Sequence, residues 1–230
     1  MSGLGEQGGM IGFVESGMQV QLKDIDQSMQ YEVQYPSVDG AFIGTISPVA
    51  AGTSSNVVLK NVLPDYPRTL KYTILGVAGG MGGTFTAQFY NQFGSLVTET
   101  AGFGTAAGGG TAYGKNICAK FISASVITTG LNGTAIGTCS IGFGTPTGGL
   151  GTGNWFGLPG MLAGTGDVKN IVWANNGTMT GLNGGTAIGT LVNTTIHAFQ
   201  GTSGVAITDY YSVTFKPSFD NLNKGTMFAL

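Results

Sequence analysis

Charged residues are scarce in this sequence. They make up only 9% of its 230 residues, 9 basic and 11 acidic, against about 25% in an average soluble domain. The basic residues are scattered, so no cluster of them could follow a phosphate backbone, and we expect no nucleic-acid partner. No uninterrupted apolar run reaches the roughly 18 residues of a membrane helix, so we expect no membrane partner either.

Groups for catalysis and metal binding are equally few. The chain has one histidine, His197, and its carboxylates are spread singly. One histidine without a second candidate ligand cannot make an ordinary zinc site, and no nucleophile elbow is visible. We interpret His197 as a hydrogen-bonded strand residue. The sequence therefore predicts a protein that is not an enzyme, with no catalytic residue, no metal and no cofactor.

Two cysteines, Cys118 and Cys139, are too few for a disulfide framework. Each lies among apolar residues, and a reactive thiol needs an electropositive setting that this chain hardly offers. We expect buried, inert thiols, and the sequence leaves open whether they are paired. Residues 1–17 contain two acids and no basic stretch, so we expect no secretory signal and folding in a cytoplasm.

Glycine and threonine are in excess, with 42 and 28 residues. Glycine interrupts every candidate helical repeat, and it costs about 1 kcal/mol relative to alanine inside a helix. Apolar residues instead recur at every second position in residues 70–74 and 85–89, and a turn at 91–94 leads into the run 96–100. This pattern predicts a hairpin. The fold class that follows is all-β, an antiparallel sandwich or barrel with Gly/Thr-rich loops and very little helix.

The chain divides by composition near residue 56. Residues 1–56 form a predicted N-terminal arm or extended lead-in, with a disordered tail as the alternative. Residues 57–230 form the β domain, which the sequence allows to be two stacked subdomains, about 57–128 and 129–230. The segments TGLNGTAIGT at 129–138 and TGLNGGTAIGT at 180–190 fit two equivalent hairpins or subdomains.

Two long β runs are predicted within that domain. Residues 117–128 read as one strand, and residues 205–216 as another, with Tyr211, Val213 and Phe215 on one face. The segment from Gly109 to Lys115 has most of a phosphate-binding loop, but asparagine follows where the mechanism needs a hydroxyl on magnesium. We interpret it as a hairpin loop.

Apolar clusters provide candidate contact residues. The cluster near the N-terminus would lie in solvent in a lone tail, so we predict that it contacts a neighbouring subunit or a shell. A second cluster, in a glycine-rich stretch, is either a subunit contact or a loop folded over the end of the sandwich. The predicted contact residues are Met10, Ile11, Phe13, Val14, Trp155, Phe156, Leu158 and Pro159.

Short motifs follow one another from about Asp65 to the end of the chain. They are Tyr66-Pro67-Arg68, Thr84-Phe85-Thr86, a turn ending at Gly94, Glu99 between two threonines, the Gly/Thr loop 108–114, Lys115 before Phe121-Ile122-Ser123, Ile141-Gly142-Phe143-Gly144, Gly157-Leu158-Pro159, Asp209 through Thr214-Phe215-Lys216-Pro217-Ser218 to Asn221, and Thr226-Met227-Phe228. This series resembles small virion structural proteins of tailed bacteriophages over about 165 residues. Residues 1–60 and the insertion TPTGGLGTGNWF depart from the pattern.

The resemblance implies a virion structural protein, a capsid decoration or cement protein that stabilises the phage shell. The implied partners are further copies of itself, in a homo-oligomer with a trimer favoured, and a phage major capsid protein. The implied location is the virion, assembled in the host cytoplasm. A tail, collar or fibre protein is one alternative. A carbohydrate-binding β module is another, in which Trp155, Trp173, Tyr210 and Tyr211 would stack on sugar rings.

Overall fold

The computed structural model describes residues 28–46, 52–75, 81–106, 109–130, 138–144, 150–175, 178–181, 191–200 and 210–217. The part of the chain that it describes is built from β-strands with one 3₁₀ turn, Thr165–Asp167. The strands are β1 Met29–Gln34, β2 Gly44–Ile46, β3 Ser54–Asn56, β4 Val58–Leu59, β5 Arg68–Leu75, β6 Met81–Tyr90, β7 Leu96–Ala106, β8 Gly109–Cys118, β9 Lys120–Gly130, β10 Cys139–Gly142, β11 Phe156–Gly157, β12 Val168–Asn175, β13 Thr178–Gly181, β14 Val192–Asn193, β15 Ala198–Phe199 and β16 Tyr210–Phe215.

These strands form three sheets, and every strand pair is antiparallel. Sheet A has the order β1-β16-β12-β13. Sheet B has the order β14-β15-β11-β5-β10-β2-β4, with β8 also paired to β5. Sheet C has the order β3-β9-β6-β7. The predicted all-β fold with very little helix is confirmed in its sandwich form, and the described strands do not close into a barrel.

Two large hydrophobic cores fill the spaces between the sheets, and a smaller third cluster consists of Ile117, Trp155 and Ala198. The first is built from sheets B and C, where Leu70, Tyr72 and Ile74 of β5 pack in one cluster with Phe85 and Phe89 of β6. The second combines sheet A with the β11, β14 and β15 end of sheet B. The first core ends in the chain at Phe143 and the second begins at Phe156, with Val33 added to it. The division into 57–128 and 129–230 stays a prediction. Along the chain, the change from residues of the first core to residues of the second falls between Phe143 and Phe156.

The β6–β7 hairpin forms where the alternation predicts it. The side chain of Asn91 holds the turn, because its Oδ1 accepts hydrogen bonds from Phe93 N at 3.0 Å and Ser95 N at 2.9 Å. Gly94 has φ +77°, a backbone conformation that suits glycine. The predicted strand face of Tyr211, Val213 and Phe215 is also confirmed, since all three are buried; residues 205–209 lie outside the described residues.

The strand predicted over 117–128 is broken in the structure. β8 ends at Cys118 in sheet B, and β9 begins at Lys120 in sheet C. Between them Ala119 N donates to Tyr90 O at 2.8 Å, which turns the chain from one sheet to the other. The hairpin loop predicted at 109–115 is also wrong, because those residues lie within β8 and pair with β5.

The described part of residues 1–56 is built into the sheets instead of leading into them. β1 pairs with β16, β2 lies between β10 and β4, and β3 pairs with β9. The boundary predicted at residue 56 therefore does not separate an arm from a domain here. Residues 1–27 and most of the two repeats lie outside the described residues, so the arm at 1–27 stays a prediction.

Candidate functional site

The carboxylate of Glu99 joins sheets B and C, because it links β7 of sheet C to β5 and β8 of sheet B. Glu99 is 6% exposed and turns inward from β7. Its Oε1 accepts from the Tyr72 hydroxyl at 2.8 Å, and its Oε2 accepts from Lys115 N at 2.7 Å, Asn116 N at 2.9 Å and Asn116 Nδ2 at 2.9 Å. Burial, and then the carboxylate, raise the pKa of Tyr72. Four donors satisfy the buried carboxylate. We call these four residues, Glu99, Tyr72, Lys115 and Asn116, the clasp, because their hydrogen bonds hold two sheets together.

Gly114 lies beside this carboxylate. A Cβ at position 114 would meet Glu99 Oε1, so a larger residue there would displace the carboxylate from its present position. Glycine lets the backbone of β8 approach the carboxylate without that displacement. The glycine-rich run, which resembles a phosphate-binding loop only in spacing and which the sequence predicts as a hairpin loop, lies beside a carboxylate of the same chain.

The one arginine, Arg68, is fully buried. Its Nη2 lies 2.7 Å from Asp65 Oδ1, and its Cζ lies 3.4 Å from the centre of the Phe143 ring and 5.7 Å from that of Phe156. Burial lowers the pKa of Arg68 to about 10, and Asp65 opposes that shift. The guanidinium lies against the aromatic ring and bridges the two cores.

His197 lies in a turn, so the interpretation as a strand residue is wrong. It has φ +48°, and its Nδ1 accepts from Leu162 N at 2.9 Å. The turn forms because Asn193 Oδ1 accepts from Thr195 N and Ile196 N. Burial lowers the pKa of His197. No group of three or more metal-ligating side chains comes together in the described residues.

The two thiols are buried as predicted, and both are free. Burial raises the pKa of Cys139 to about 11. Burial and, to a smaller extent, Glu99 raise the pKa of Cys118 well above its ordinary value. These shifts disfavour the thiolate, which is the reactive form.

The predicted contact residues fall in two places. Trp155, Phe156 and Leu158 are 4%, 0% and 0% exposed and pack inside the chain, so they present no contact surface; Pro159 is exposed. Trp155 N donates to Thr69 Oγ1 at 2.9 Å, which attaches this segment to β5. The alternative, a loop folded onto the sandwich, is the arrangement found. Met10, Ile11, Phe13 and Val14 lie outside the described residues.

The sugar-stacking residues are not assembled into a platform. Trp155 and Tyr211 are buried. The Tyr210 hydroxyl donates to Glu32 Oε1 at 2.6 Å. The side chain of Trp173 lies outside the described residues.

The outer face of sheet C is a regular surface formed by β9, β6 and β7. Its central rows consist of short polar side chains in register: Ser125, Thr86 and Thr100 in one row, and Ser123, Gln88 and Thr98 in the next. All but the partly buried Ser125 are exposed. Among the described side chains of this face only Lys120 carries a charge.

Several exposed apolar side chains lie at the hairpin end of this face, around the exposed Lys120, which lies opposite Tyr90; they are called the apolar patch. Leu96 is 59% exposed and lies opposite Tyr90, which is 39% exposed. Ile122 is 37% exposed on β9, and Val62 is placed beside it because its carbonyl accepts from Phe121 N at 2.7 Å. Leu63, next along the chain, is 60% exposed. The sequence showed the alternation that creates this face, but not that its outer side would be exposed to solvent and left uncovered by the other described strands.

Comparison with family models, curated proteins and solved structures found no match. Within the described residues, no helix has the length and apolar character needed to cross a bilayer. The outer face of sheet C, with its apolar patch, is therefore the candidate site that the chain itself presents.

Proposed function

We propose that this chain is a non-enzymatic virion structural protein, a capsid decoration protein that binds and stabilises a phage shell as a homo-oligomer. The observation that carries the proposal is the outer face of sheet C, which combines rows of hydroxyl groups with an apolar patch. The resemblance of the sequence motifs to small virion proteins supplies the biological setting.

The chemistry of this face suits a permanent contact with another protein. Interface cores are depleted in charged residues, as this face is. Full burial of a large apolar side chain such as Leu96 or Leu63 contributes roughly 1.5–3 kcal/mol. The surrounding Thr98 and Thr100 hydroxyls can donate and accept, so they pair with polar groups of a partner without a charge to desolvate.

The experiment compares binding to shells. Particles are purified from lysates of cells that make the protein and are stripped of it. Full-length wild-type chain is then added back and sedimented with them. We expect the wild type to co-sediment and the variant Leu96→Lys to bind at least tenfold more weakly, because a lysine would be desolvated within the apolar contact.

Lys169→Glu is the matched control, since it changes an exposed charge on sheet A and leaves sheet C intact. Both variants are first checked for an unchanged thermal unfolding midpoint. The proposal fails if mass spectrometry finds none of the chain in the purified particles. It also fails if Leu96→Lys binds like the wild type.

A tail, collar or fibre position uses the same kind of contact and is the alternative within the virion. Immunogold labelling of intact particles separates the two positions. Label over the head supports decoration of the shell, and label confined to the tail contradicts it.

A further inference from the structure

The chain blocks most of the sheet edges in its described part. In sheet A, the Tyr66 hydroxyl both donates to Gln34 O and accepts from Gln34 N, each at 2.9 Å, at the end of β1. In sheet B, Glu99 occupies the free N–H groups of Lys115 and Asn116 on β8. Proteins block edges in this way because unpaired strands otherwise pair with other chains.

Beyond Gln34, the six-residue edge strand β1 has no such cover in the described residues, and most of the other edges are short or covered. β4 and β14 have 2 residues each, β3 has 3 and β13 has 4. Beside β3, the free edge of β9 is covered by hydrogen bonds to Gly52 N, Val57 N and Val62 O.

β7 is the longest strand at a sheet edge in the described structure. It is 11 residues long and its backbone pairs only with β6. β8 lies near it and is tied to it by the inward-facing Glu99 side chain, but the described residues show no backbone hydrogen bond between the two strands. Alternate residues of an antiparallel strand turn their N–H and C=O groups away from the existing partner. β7 also contains no proline and no lysine, the residues that commonly protect an edge.

The side chains of β7 suit pairing with an identical strand. Its one charged residue, Glu99, is turned inward and satisfied by four donors. Thr98, Thr100 and Gly102 are exposed, small and uncharged. A second β7 therefore meets no like charge at this edge, and antiparallel pairing supplies each strand with the backbone groups that the other lacks.

We propose that β7 pairs with β7 of a second copy of this chain, antiparallel across a twofold axis, to join two copies of sheet C into one sheet. Pairing about the strand's midpoint places Ala101 opposite Ala101 of the other copy, and Glu99 opposite Phe103. The two carboxylates then do not face each other. This contact goes beyond the proposed function and does not depend on a shell.

The test measures the mass of the isolated full chain by sedimentation velocity at micromolar concentration. We expect twice the chain mass of 23.4 kDa. If another surface of the chain forms a trimer, β7 pairing joins two trimers, and the mass is a higher even multiple. The variant Thr98→Lys/Thr100→Lys places two lysines on the edge strand and should weaken the association at least tenfold.

The matched control is Thr84→Lys/Thr86→Lys, which places the same two charges on the same face, one strand inside the edge. We expect this control to keep the wild-type mass. Because it alters the face proposed to bind the shell, it should lose shell binding while remaining paired. Failure of the shell proposal is thus distinguished from failure of the pairing proposal.

A third variant covers the risk that lysines disturb folding. Thr100→Pro removes an N–H group that the antiparallel register turns away from β6, and edge strands tolerate proline. A folded variant that sediments at half the wild-type mass supports the pairing. A wild-type monomer or trimer contradicts it, and so does an unchanged mass in folded edge variants.

Discussion

Tyr72 and Glu99 lie on strands of two different sheets and share a hydrogen bond of 2.8 Å. The other carboxylate oxygen accepts three N–H groups from Lys115 and Asn116. A carboxylate with four donors can be buried because its lost hydration is replaced. The same contact holds the free side of β8 against β7, so one side chain both satisfies a charge and joins two sheets.

Replacement of Glu99 tests how much this clasp stabilises the fold. Glu99→Ala leaves the Tyr72 hydroxyl and the N–H groups of Lys115 and Asn116 without their acceptor. We expect a loss of about 1–3 kcal/mol in the free energy of unfolding, the usual cost of unsatisfied buried groups. Glu99→Gln keeps one acceptor oxygen and should lose less.

Urea unfolding followed by tryptophan fluorescence measures both losses. Thr84→Ala, an exposed change on β6, is the control and should stay within about 0.5 kcal/mol of the wild type. An unchanged urea midpoint in Glu99→Ala would show that water replaces the carboxylate and that the clasp contributes nothing.

The strands that the sequence predicts best are those with one dry and one wet face. In β6, Phe85, Ala87 and Phe89 meet the first core, whereas Thr84, Thr86 and Gln88 are exposed. β5 has the same alternation, although Thr69 on its second face is also buried. This alternation is local, so it can be read from the order of residues. Hairpin prediction succeeded at Asn91 and Gly94 for the same reason, since turn chemistry is also local.

The features that the sequence did not reveal depend on distant contacts. Ala119 marks a change of sheet, yet no turn residue announces it between two strand-like runs. Glu99 looks like an ordinary exposed acid between two threonines, because its donors lie 16 and 17 positions further on. One local signal was missed: Asn193 begins the turn that holds His197, and asparagine side chains commonly accept from the backbone in this way.

The acceptor role of His197 predicts a loss of stability in mild acid. In the folded chain Nδ1 accepts the Leu162 N–H, and burial lowers the pKa. In the unfolded chain the histidine pKa is about 6.5. The unfolded state therefore binds more protons as the pH falls below that value, and the free energy of unfolding decreases.

The measurement is the urea midpoint at pH 7.5, 6.5 and 5.5. We expect it to fall in the wild type. His197→Asn should show a shallower fall, because asparagine does not titrate and tolerates the positive φ at this position. An equally steep fall in His197→Asn would assign the acid sensitivity to other groups.

The buried thiols and Tyr72 predict a second loss of stability in alkali. Burial raises the pKa of Cys139 to about 11 and raises the pKa of both Cys118 and Tyr72. A group whose pKa is higher in the folded chain than in the unfolded chain stabilises the fold fully at a pH below its unfolded pKa. As the pH rises above that unfolded pKa, the group loses its proton only in the unfolded chain, and the free energy of unfolding decreases. For the thiols this loss begins at about pH 8.5, the pKa of an unfolded cysteine. The lowered pKa of Arg68 instead raises the free energy of unfolding as the pH increases, but only above about pH 10.

Urea midpoints at pH 8, 9 and 10 measure this loss before Arg68 counters it strongly. We expect the midpoint to fall steadily in the wild type. Cys139→Ala should start lower, because a small cavity replaces the sulfur, but should fall less steeply, because one group that ionises only in the unfolded chain has been removed.

Thiol labelling with a chromogenic disulfide is the second readout. We expect it to be slow for both cysteines in folded protein and complete in urea. A parallel fall in the wild type and Cys139→Ala, or fast labelling of the folded chain, would mean that Cys139 is reached by solvent and does not carry the raised pKa.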